Sequence, residues 1–292
     1  MSFDAFIGAD WSGARGPNLP GVQIAECLAG TAAPAIIGNP VGGPWTRVAF
    51  ADWLGARLLD GRRYLIGIDF SFSFPYTDLG AFFPGAEASP RDMFGLWRFV
   101  EDRCEDGDGF YSRAFARHED TAPYFLTRSH RGERYAPRLR STDRRCAELG
   151  LGTPDTMFKL IGPKQVGLGS LSGMRVIQKL RELPGALSVW PVEGRNARSV
   201  CVDIFPRAFL RRATRTNRKV GSIDGLNTVL TFYESAPITS QGLNGDSQLG
   251  DKADAAVAAA ALRALSQENE HWQPAGLSDA VRHTEGWIFG VS

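Results

Sequence analysis

The sequence predicts a mixed α/β fold in which one sheet is covered by helices. Three observations predict it: strand-like apolar segments, helix signals between them, and an order that starts with three strands before β-α-β crossovers follow. The chain has 292 residues, of which 43% are hydrophobic and 22% charged, enough for one large domain or two modest ones. Because neither an internal repeat nor a low-complexity linker interrupts it, we expect a single domain over residues 1–292.

The first elements are predicted to be three strands. The segments "AFIGADWS" (5–12) and "GVQIAECLAG" (21–30) have strand character, and the loop "GARGPNLPG" between them is rich in Gly and Pro, which favours a hairpin with a long connection. A third strand is expected around "APAIIGN" (33–39). The sheet is therefore expected to begin with antiparallel strands.

A helix and a buried strand come next. Thr46 is placed to cap a helix over "RVAFADWLGARLLDG" (47–61), in which apolar residues recur at helical spacing. The continuous apolar run "YLIGI" (64–68) is typical of a strand buried on both faces. These two segments predict the first crossover onto a fourth strand.

The remaining chain is predicted to hold an insertion, a strand and a closing helix. Residues 76–180 are expected to form a helical and irregular insertion, because a compact core seldom carries so much irregular chain. The segments "ALSVWPVEG" (186–194) and "SVCVDIFPRAFLRR" (199–212) predict a strand pair or a strand and a turn, and Asp203 ends the apolar run "VCV" (200–202). The segment "GDKADAAVAAAALRALSQ" (250–267) contains eight alanines and predicts a closing helix.

Composition argues against several classes of protein. The four cysteines are far apart and form no C-x-x-C pair, which argues against a disulfide framework and a structural zinc site and favours reduced, mostly buried thiols. No apolar run approaches 18 residues, and the amino terminus lacks the pattern of a signal peptide. We therefore expect a cytoplasmic protein without a membrane partner.

Positive charge is concentrated in two stretches, although the net charge is only +1. Residues 128–146 contain seven arginines against Glu133 and Asp143, and residues 207–219 contain five arginines and one lysine without an acid. Such clusters can neutralise nucleic-acid phosphates, and solvated loops and helix faces have the same composition. Nucleic acid is therefore a candidate partner on charge alone.

Acidic residues end several of the predicted strands. Asp10, Asp69 and Asp203 each follow an apolar run, and Asp251 and Asp254 are three residues apart, on one face of the closing helix. Because ligand sites gather at the strand ends of α/β sheets, we expect these carboxylates to converge. Clustered carboxylates raise one another's pKa unless a cation compensates, and Mg²⁺ or Mn²⁺ is the cation that oxygen ligands favour.

Each acid also has a local explanation. Asp251 can cap the closing helix, and Asp254 can complement the dipole of that helix. Asp203 can pair with Arg207 or Arg211. The two acids nearest the amino terminus can bond backbone groups of their own turns.

Several short motifs carry a resemblance to a known family. The segments "FIGADWSG", "LIGIDFSFSFP", "VDIFPRAF", "DKADAAVAAAALRAL" and "EGWIFGV", in this order, resemble the uncharacterised family called domain of unknown function 429, in the ribonuclease H-like superfamily. The segment "RLRSTDRRC" resembles the Arg-x-x-Asp-Arg segment of that family more loosely. The resemblance implies a ribonuclease H-like fold, with a five-stranded mixed sheet whose first three strands are antiparallel.

The resemblance also implies a metal site. In that superfamily the metal-binding acids come from the first strand, the fourth strand and the closing helix, and these positions hold Asp10, Asp69, Asp251 and Asp254. Asp203 matches a further family acid. Many ribonucleases H add a glutamate from the first helix, where the nearest acid in this chain is Asp52.

These features together predict a metal-dependent nuclease that hydrolyses phosphodiester bonds of DNA or RNA with two Mg²⁺ or Mn²⁺ ions. The predicted catalytic residues are Asp10, Asp69, Asp251 and Asp254. The predicted metal ligands are Asp10, Asp69, Asp203 and Asp254. The residues predicted to bind substrate phosphates are Arg138, Arg140, Arg144, Arg207 and Lys252.

Two other functions stay open at this point. The glycine-rich segment "GPKQVGLGSLSG" (162–173) and the strand-one aspartate also suit a phosphotransferase or NTPase on the same fold. The arginine clusters suit a protein that binds nucleic acid without catalysis. The histidines lack paired metal-ligand spacing and are expected at the surface; they are His118, His130, His271 and His283.

Overall fold

A single mixed sheet forms the centre of the molecule. The computed structural model describes residues 2–104, 109–162, 165–216, 220–243 and 249–292. Within these residues the sheet has six strands in the order β3-β2-β1-β4-β6-β5. The strands are β1 (Ala5–Asp10), β2 (Gln23–Leu28), β3 (Ala35–Ile37), β4 (Tyr64–Ile68), β5 (Leu187–Val189) and β6 (Ser199–Asp203).

The sheet is antiparallel on one side and parallel on the other. β2 pairs antiparallel with both β1 and β3, which confirms the predicted antiparallel start. β4 is buried along its whole length and lies parallel between β1 and β6. The expected count of five strands is corrected to six among the described residues, because the three-residue β5 is added at the edge beside β6. β5 lies in the segment "ALSVWPVEG", for which the sequence left open a strand pair or a strand and a turn.

Helices cover both faces of the sheet. In the described residues they are α1 (Arg47–Leu58), α2 (Met93–Glu101), α3 (Ser141–Glu148), α4 (Gly167–Arg181), α5 (Pro206–Thr214), α6 (Ile223–Phe232), α7 (Leu249–Leu265) and α8 (Asp279–Thr284). The cap of α1 is as predicted, since the Thr46 side chain accepts a hydrogen bond from the Ala49 N–H at 2.9 Å. None of these helices has the length and apolar character of a membrane span.

The alanine-rich helix α7 packs directly on β1. A Cβ added at Gly8 would lie 2.5 Å from the Ala255 carbonyl oxygen and 2.6 Å from the Ala259 nitrogen. Small residues on both elements therefore allow the backbones to approach closely. This contact makes β1 and α7 the central pair of one core layer.

α7 runs in the direction opposite to β1. Its carboxyl end lies beside the start of β1, because Arg263 Nη1 donates to the Leu28 carbonyl at 3.1 Å and Leu28 pairs with Ala5. The middle of α7 lies beside Gly8. The first turns of α7, which carry the predicted acids, therefore lie at the carboxyl end of β1.

The segment between β4 and α4 packs on the other face, with α1 and α4. Its aromatic side chains form one layer of the core, in which the Phe74 and Phe158 rings are 4.9 Å apart and the Phe83 and Phe115 rings 5.9 Å apart. The four cysteines are free, and only Cys104 is partly exposed, as the composition predicts.

Candidate active site

Four of the predicted acids line one cavity at the carboxyl ends of the parallel strands. The cavity has a volume of about 290 Å³. Asp10, Asp69, Asp203 and Asp254 are among its lining residues. The structure thus brings side chains from β1, β6, α7 and the residue after β4 to one place, although they are up to 244 residues apart (254 − 10).

Strand register explains how the acids are arranged. Asp69 lies beside Asp10, because Ile68 pairs with Ala9 and the Asp69 N–H donates to the Ala9 carbonyl at 2.9 Å. Asp203 pairs with Ile68.

The pleat sends two of these acids to different faces. Side chains alternate along a strand, so Asp10 lies on the same face as Gly8, towards α7. Asp203 lies on the same face as Cys201, which belongs to the core layer of α1 and α4. Asp10 is therefore on the side of α7 and Asp254, and Asp203 is on the opposite side.

Asp203 is bound inside the protein. It is 2% exposed, and its Oδ2 accepts hydrogen bonds from Arg140 Nη1 at 2.6 Å and from the Phe72 N–H at 3.1 Å. Arg140 also binds both oxygens of Asp143, at 2.9 and 3.1 Å. Burial raises the pKa of Asp203 to about 6, although Arg140 opposes this rise. One guanidinium thus serves two buried carboxylates.

Several residues predicted to bind phosphates instead make contacts within the fold. Arg140 is 1% exposed and is shared by the two aspartates just described. Arg138 binds Asp78 at 2.6 and 2.9 Å and donates to three backbone carbonyls. Lys252 is 8% exposed and donates to the Leu243 carbonyl.

The other two predicted phosphate-binding residues differ from each other. Arg144 is exposed, donates to the Leu139 carbonyl at 2.6 Å, and is not among the described residues that line the cavity. Arg207 is half-buried in the first turn of α5 and lines the cavity. Of the five basic residues predicted to bind phosphates, Arg207 and the buried Arg140 are thus the two among the described residues that line the cavity together with the acids.

Two helix amino termini also border the cavity. Phe205 and Pro206 open α5, Gln165 and Val166 precede α4, and all four line the cavity. Among the described residues, neither helix has a side-chain N-cap. Uncapped N–H groups and the positive end of a helix dipole favour an anion at such a position.

The glycines of the segment 162–173 serve close packing. A Cβ at Gly173 would lie 2.2 Å from the Phe70 ring, and one at Gly167 would lie 2.4 Å from the Met157 carbonyl oxygen. Gly169 meets the turn after β1, where its carbonyl accepts a hydrogen bond from Trp11 Nε1 at 3.0 Å. Pro163 and Lys164 of this segment, like Arg218 and Lys219 of the second basic stretch, lie outside the described residues.

The remaining predicted acids lie away from the cavity lining. Asp251 faces the loop after β1, since a Cβ at Gly21 would lie 3.8 Å from its Oδ2 and 3.9 Å from the Ser12 hydroxyl. Asp52 is exposed on α1. Neither residue is among the described residues that line the cavity.

One further acid at the cavity carried no signal in the sequence. Asp155 lines the cavity from the irregular loop before α4. Its carboxylate binds Lys159 Nζ at 2.6 Å and the Thr156 N–H at 2.9 Å. A loop residue of this kind has no periodic pattern from which its position can be inferred.

The segment "EGWIFGV" holds the insertion against the sheet. Glu285 is fully buried and accepts hydrogen bonds from the N–H groups of Tyr76, Thr77 and Ser141 at 2.6 to 2.8 Å. Burial alone would raise the pKa of Glu285, but these donors outweigh it and hold the pKa below its usual value. Close by, the Phe289 N–H donates to the Asp203 carbonyl at 2.8 Å.

One histidine is not at the surface as expected. His271 is 0% exposed, because the turn after α7 places its ring beside Phe289, with ring centroids 6.2 Å apart. Its Nε2 lies 3.2 Å from Glu268 Oε2 and 3.8 Å from Glu270 Oε1. The expectation of a surface residue is wrong here, because this contact forms only in the folded chain.

The acids of the cavity suit a hydrated cation. In the described residues, three ligand atoms lie within 4.8 Å of one another only at Glu268, Glu270 and His271, beyond the carboxyl end of α7. Among the described residues, no three cavity carboxylates form such a group. Mg²⁺ keeps several waters and takes one or two carboxylates directly, so this all-oxygen set fits Mg²⁺ or Mn²⁺ better than a cation enclosed by protein ligands.

Comparisons with protein-family models, curated proteins and solved structures find no match for this chain. The residues of the cavity are therefore the basis for a function.

Proposed function

We propose that the protein is a divalent-cation-dependent phosphodiesterase that acts on nucleic acid. The charge arrangement of the cavity supports this proposal most strongly. Asp10, Asp69 and Asp254 supply carboxylate oxygens, while Arg207 and the amino termini of α4 and α5 supply positive charge at the same cavity. A phosphodiester bound to a divalent cation needs both kinds of group.

Different residues of the cavity would bind the cation and the phosphate. Asp10 and Asp254, on the α7 side, and Asp69 beside them would hold Mg²⁺ or Mn²⁺. A divalent ion bound there would supply a water of lowered pKa and a Lewis acid for a phosphoryl oxygen. Arg207 would donate hydrogen bonds to a non-bridging phosphate oxygen.

Asp203 has a different role in this proposal. Its carboxylate is occupied by Arg140 and the Phe72 N–H, so we assign it to positioning the insertion rather than to holding the cation. Arg140 likewise neutralises acids instead of binding substrate. Both residues belong to segments that carry the family resemblance. The C-terminal segment contacts both, because the Glu285 carbonyl accepts from Arg140 and the Phe289 N–H donates to the Asp203 carbonyl.

The order of strands agrees with the ribonuclease H-like fold. Three antiparallel strands are followed by β4 parallel to β1, and the cavity acids come from β1, the end of β4 and the last long helix. These are the positions that the resemblance implies. The edge strand β5 is an addition to that pattern.

The alternative of a phosphotransferase or NTPase has less support. Its main sequence feature was the segment 162–173, in which Gly167, Gly169 and Gly173 are accounted for by contacts with Met157, the turn after β1 and Phe70. The alternative of non-catalytic nucleic-acid binding is separated from the proposal by experiment, because it predicts that replacing the acids changes little.

The test is cleavage of labelled single-stranded, duplex and branched DNA and RNA in Mn²⁺, in Mg²⁺ and in EDTA. We expect cleavage that requires the metal and falls at least about 100-fold in Asp10→Asn and Asp69→Asn, since even the outer-shell partners of metal ligands are worth 10- to 100-fold. Asp52→Asn, an exposed acid outside the cavity, is the matched control and should cleave normally. Cleavage that persists in EDTA or in Asp10→Asn would contradict the proposal.

A further inference from the structure

A basic cleft opens beside the acidic cavity. It has a volume of about 640 Å³ and lies between the segment 113–130 and residues 160–162, 165 and 168. The described residues that line it include Arg113, Arg117, Arg128 and His130 and no Asp or Glu. A concave surface of one charge sign concentrates ligands of the opposite sign.

The guanidinium groups of the three cleft arginines differ from others nearby. Within the described residues, the side chains of Arg113, Arg117 and Arg128 make neither an ion pair nor a hydrogen bond, and Arg117 and Arg128 are exposed. Other arginines of the same region do have partners: Arg103 binds Asp120 at 2.8 Å and Arg138 binds Asp78 at 2.6 Å. The guanidinium groups of the cleft are therefore available to a ligand without breaking an internal contact.

The basic cleft and the acidic cavity are adjacent. Gln165 lines both of them, and Leu168 of the cleft is followed in the chain by Gly169 of the cavity. The Gln165 Oε1 atom is buried and has no hydrogen-bond partner in the described structure. A polyanion lying along the cleft would thus pass this amide and reach the carboxylates.

We propose that a single strand of nucleic acid lies in this cleft, with its phosphates on Arg113, Arg117 and Arg128, and enters the acidic cavity past Gln165. This inference rests on the proposed function, and it names the form of the substrate and the residues that hold it. Arg128 belongs to the basic stretch 128–146, whereas Arg113 and Arg117 lie outside both basic stretches that the sequence shows.

Size favours a single strand. The acidic cavity of about 290 Å³ is roughly 8 Å across if taken as a sphere. A DNA duplex is wider than this, because its major groove alone measures about 12 Å. The cleft lining contains arginines but no Phe, Tyr or Trp. Binding should therefore follow the phosphate backbone, with strong salt dependence and little sequence preference.

The test measures binding without cleavage. Fluorescence anisotropy of labelled oligo(dT), oligo(U) and a duplex of the same length, all in EDTA, gives affinity as a function of salt. The variant Arg117→Ala/Arg128→Ala removes two exposed arginines of the cleft. The matched control Arg62→Ala/Arg198→Ala removes two exposed arginines that precede β4 and β6, at the opposite end of the sheet.

We expect the cleft variant to bind single strands roughly tenfold more weakly at low salt, and the slope of log K against log salt to become shallower by about 1.4, at about 0.7 for each phosphate contact on a single strand. Arg113→Ala alone should change the slope by about 0.7. The control should bind like the wild type. Unchanged melting temperatures would show that the variants are folded.

Three results would overturn the cleft proposal: no binding of oligonucleotides by the wild type, a cleft variant that binds like the control, or a duplex that binds as tightly as the single strands. If the cleft variant binds normally while Asp10→Asn abolishes cleavage, the cleft proposal fails and the nuclease stands. If the cleft binds single strands but no substrate is cleaved with Mn²⁺, the nuclease fails and the cleft stands.

Discussion

Replacing Asp203 by asparagine should change how the stability of the fold depends on pH. The carboxyl group is 2% exposed and shares Arg140 with Asp143. Its pKa is raised from 3.8 to about 6, mainly by burial. Because the folded pKa lies above the unfolded one, the folded protein binds a proton at this group in a range of pH where the unfolded chain does not. Through this group, stability therefore rises as the pH falls through 6 and declines as the pH rises again.

The size of the effect follows from the two pKa values. Between about pH 7.5 and about pH 5 the folded carboxyl group passes from ionised to mostly protonated, while the unfolded group stays ionised. One pKa unit corresponds to about 1.4 kcal/mol, and pH 5 lies about one unit below the folded pKa. The wild type should therefore gain about 1.4 kcal/mol from Asp203 on this change of pH, and Asp203→Asn should lack that gain.

Urea unfolding followed by tryptophan fluorescence measures this difference. Both proteins are unfolded at both pH values, and the free energy of unfolding of Asp203→Asn is subtracted from that of the wild type. Carboxyl groups distant from Asp203 cancel in the subtraction, and Asp143, which shares Arg140, is the common carboxyl group that remains coupled to the change. A difference that is the same at both pH values would refute the argument that burial, only partly offset by a shared Arg140, sets the pKa of this group.

Three further predictions concern packing, a buried carboxylate and the cavity. Gly8→Ala should lower the free energy of unfolding by about 2 kcal/mol, because its Cβ would meet the backbone of α7 at 2.5 Å, while Gly38→Ala, with nothing within 4 Å, should change it little; equal urea midpoints would contradict this. Glu285→Gln should cost about 2 kcal/mol near neutral pH. Since the folded pKa of Glu285 is lowered, its contribution to the free energy of unfolding is complete above the unfolded value of 4.5 and is lost as the pH falls through the folded pKa. The destabilisation by Glu285→Gln should therefore shrink in acid. A destabilisation that stays constant in thermal unfolding at several pH values would contradict this. Asp254→Asn should reduce Mn²⁺-dependent cleavage at least about 100-fold and Asp251→Asn far less; equal losses in a cleavage assay would place both acids in one site.

Much of the sheet and its long helices could be predicted because their signals are local. The cap at Thr46, the apolar run of β4 and the alanines of α7 each lie within one short segment, and each forms the expected element. The acids at strand ends could be predicted for the same reason, since each of them directly follows the apolar run of its strand in the sequence. The helices α3, α5 and α6 are only eight to ten residues long, and the sequence did not reveal them.

The arginines show most clearly why the rest could not be predicted. Arg138, Arg140, Arg128 and Arg117 look alike in the sequence, as basic residues in a polar region. The folded chain buries two of them against Asp78, Asp143 and Asp203 and leaves the other two in the cleft.

Local pattern is thus sufficient to say which residues form strands and long helices, and which acids stand at strand ends, because neighbours in the chain carry that information. Other features depend on how distant segments pack. They are the pairing of Arg140 with Asp203 across 63 residues, the opposite faces of Asp10 and Asp203, and the position of the basic cleft beside the acidic cavity. Charge pairing and burial are properties of the assembled neighbours of a side chain, so they exist only once the sheet and the insertion have come together.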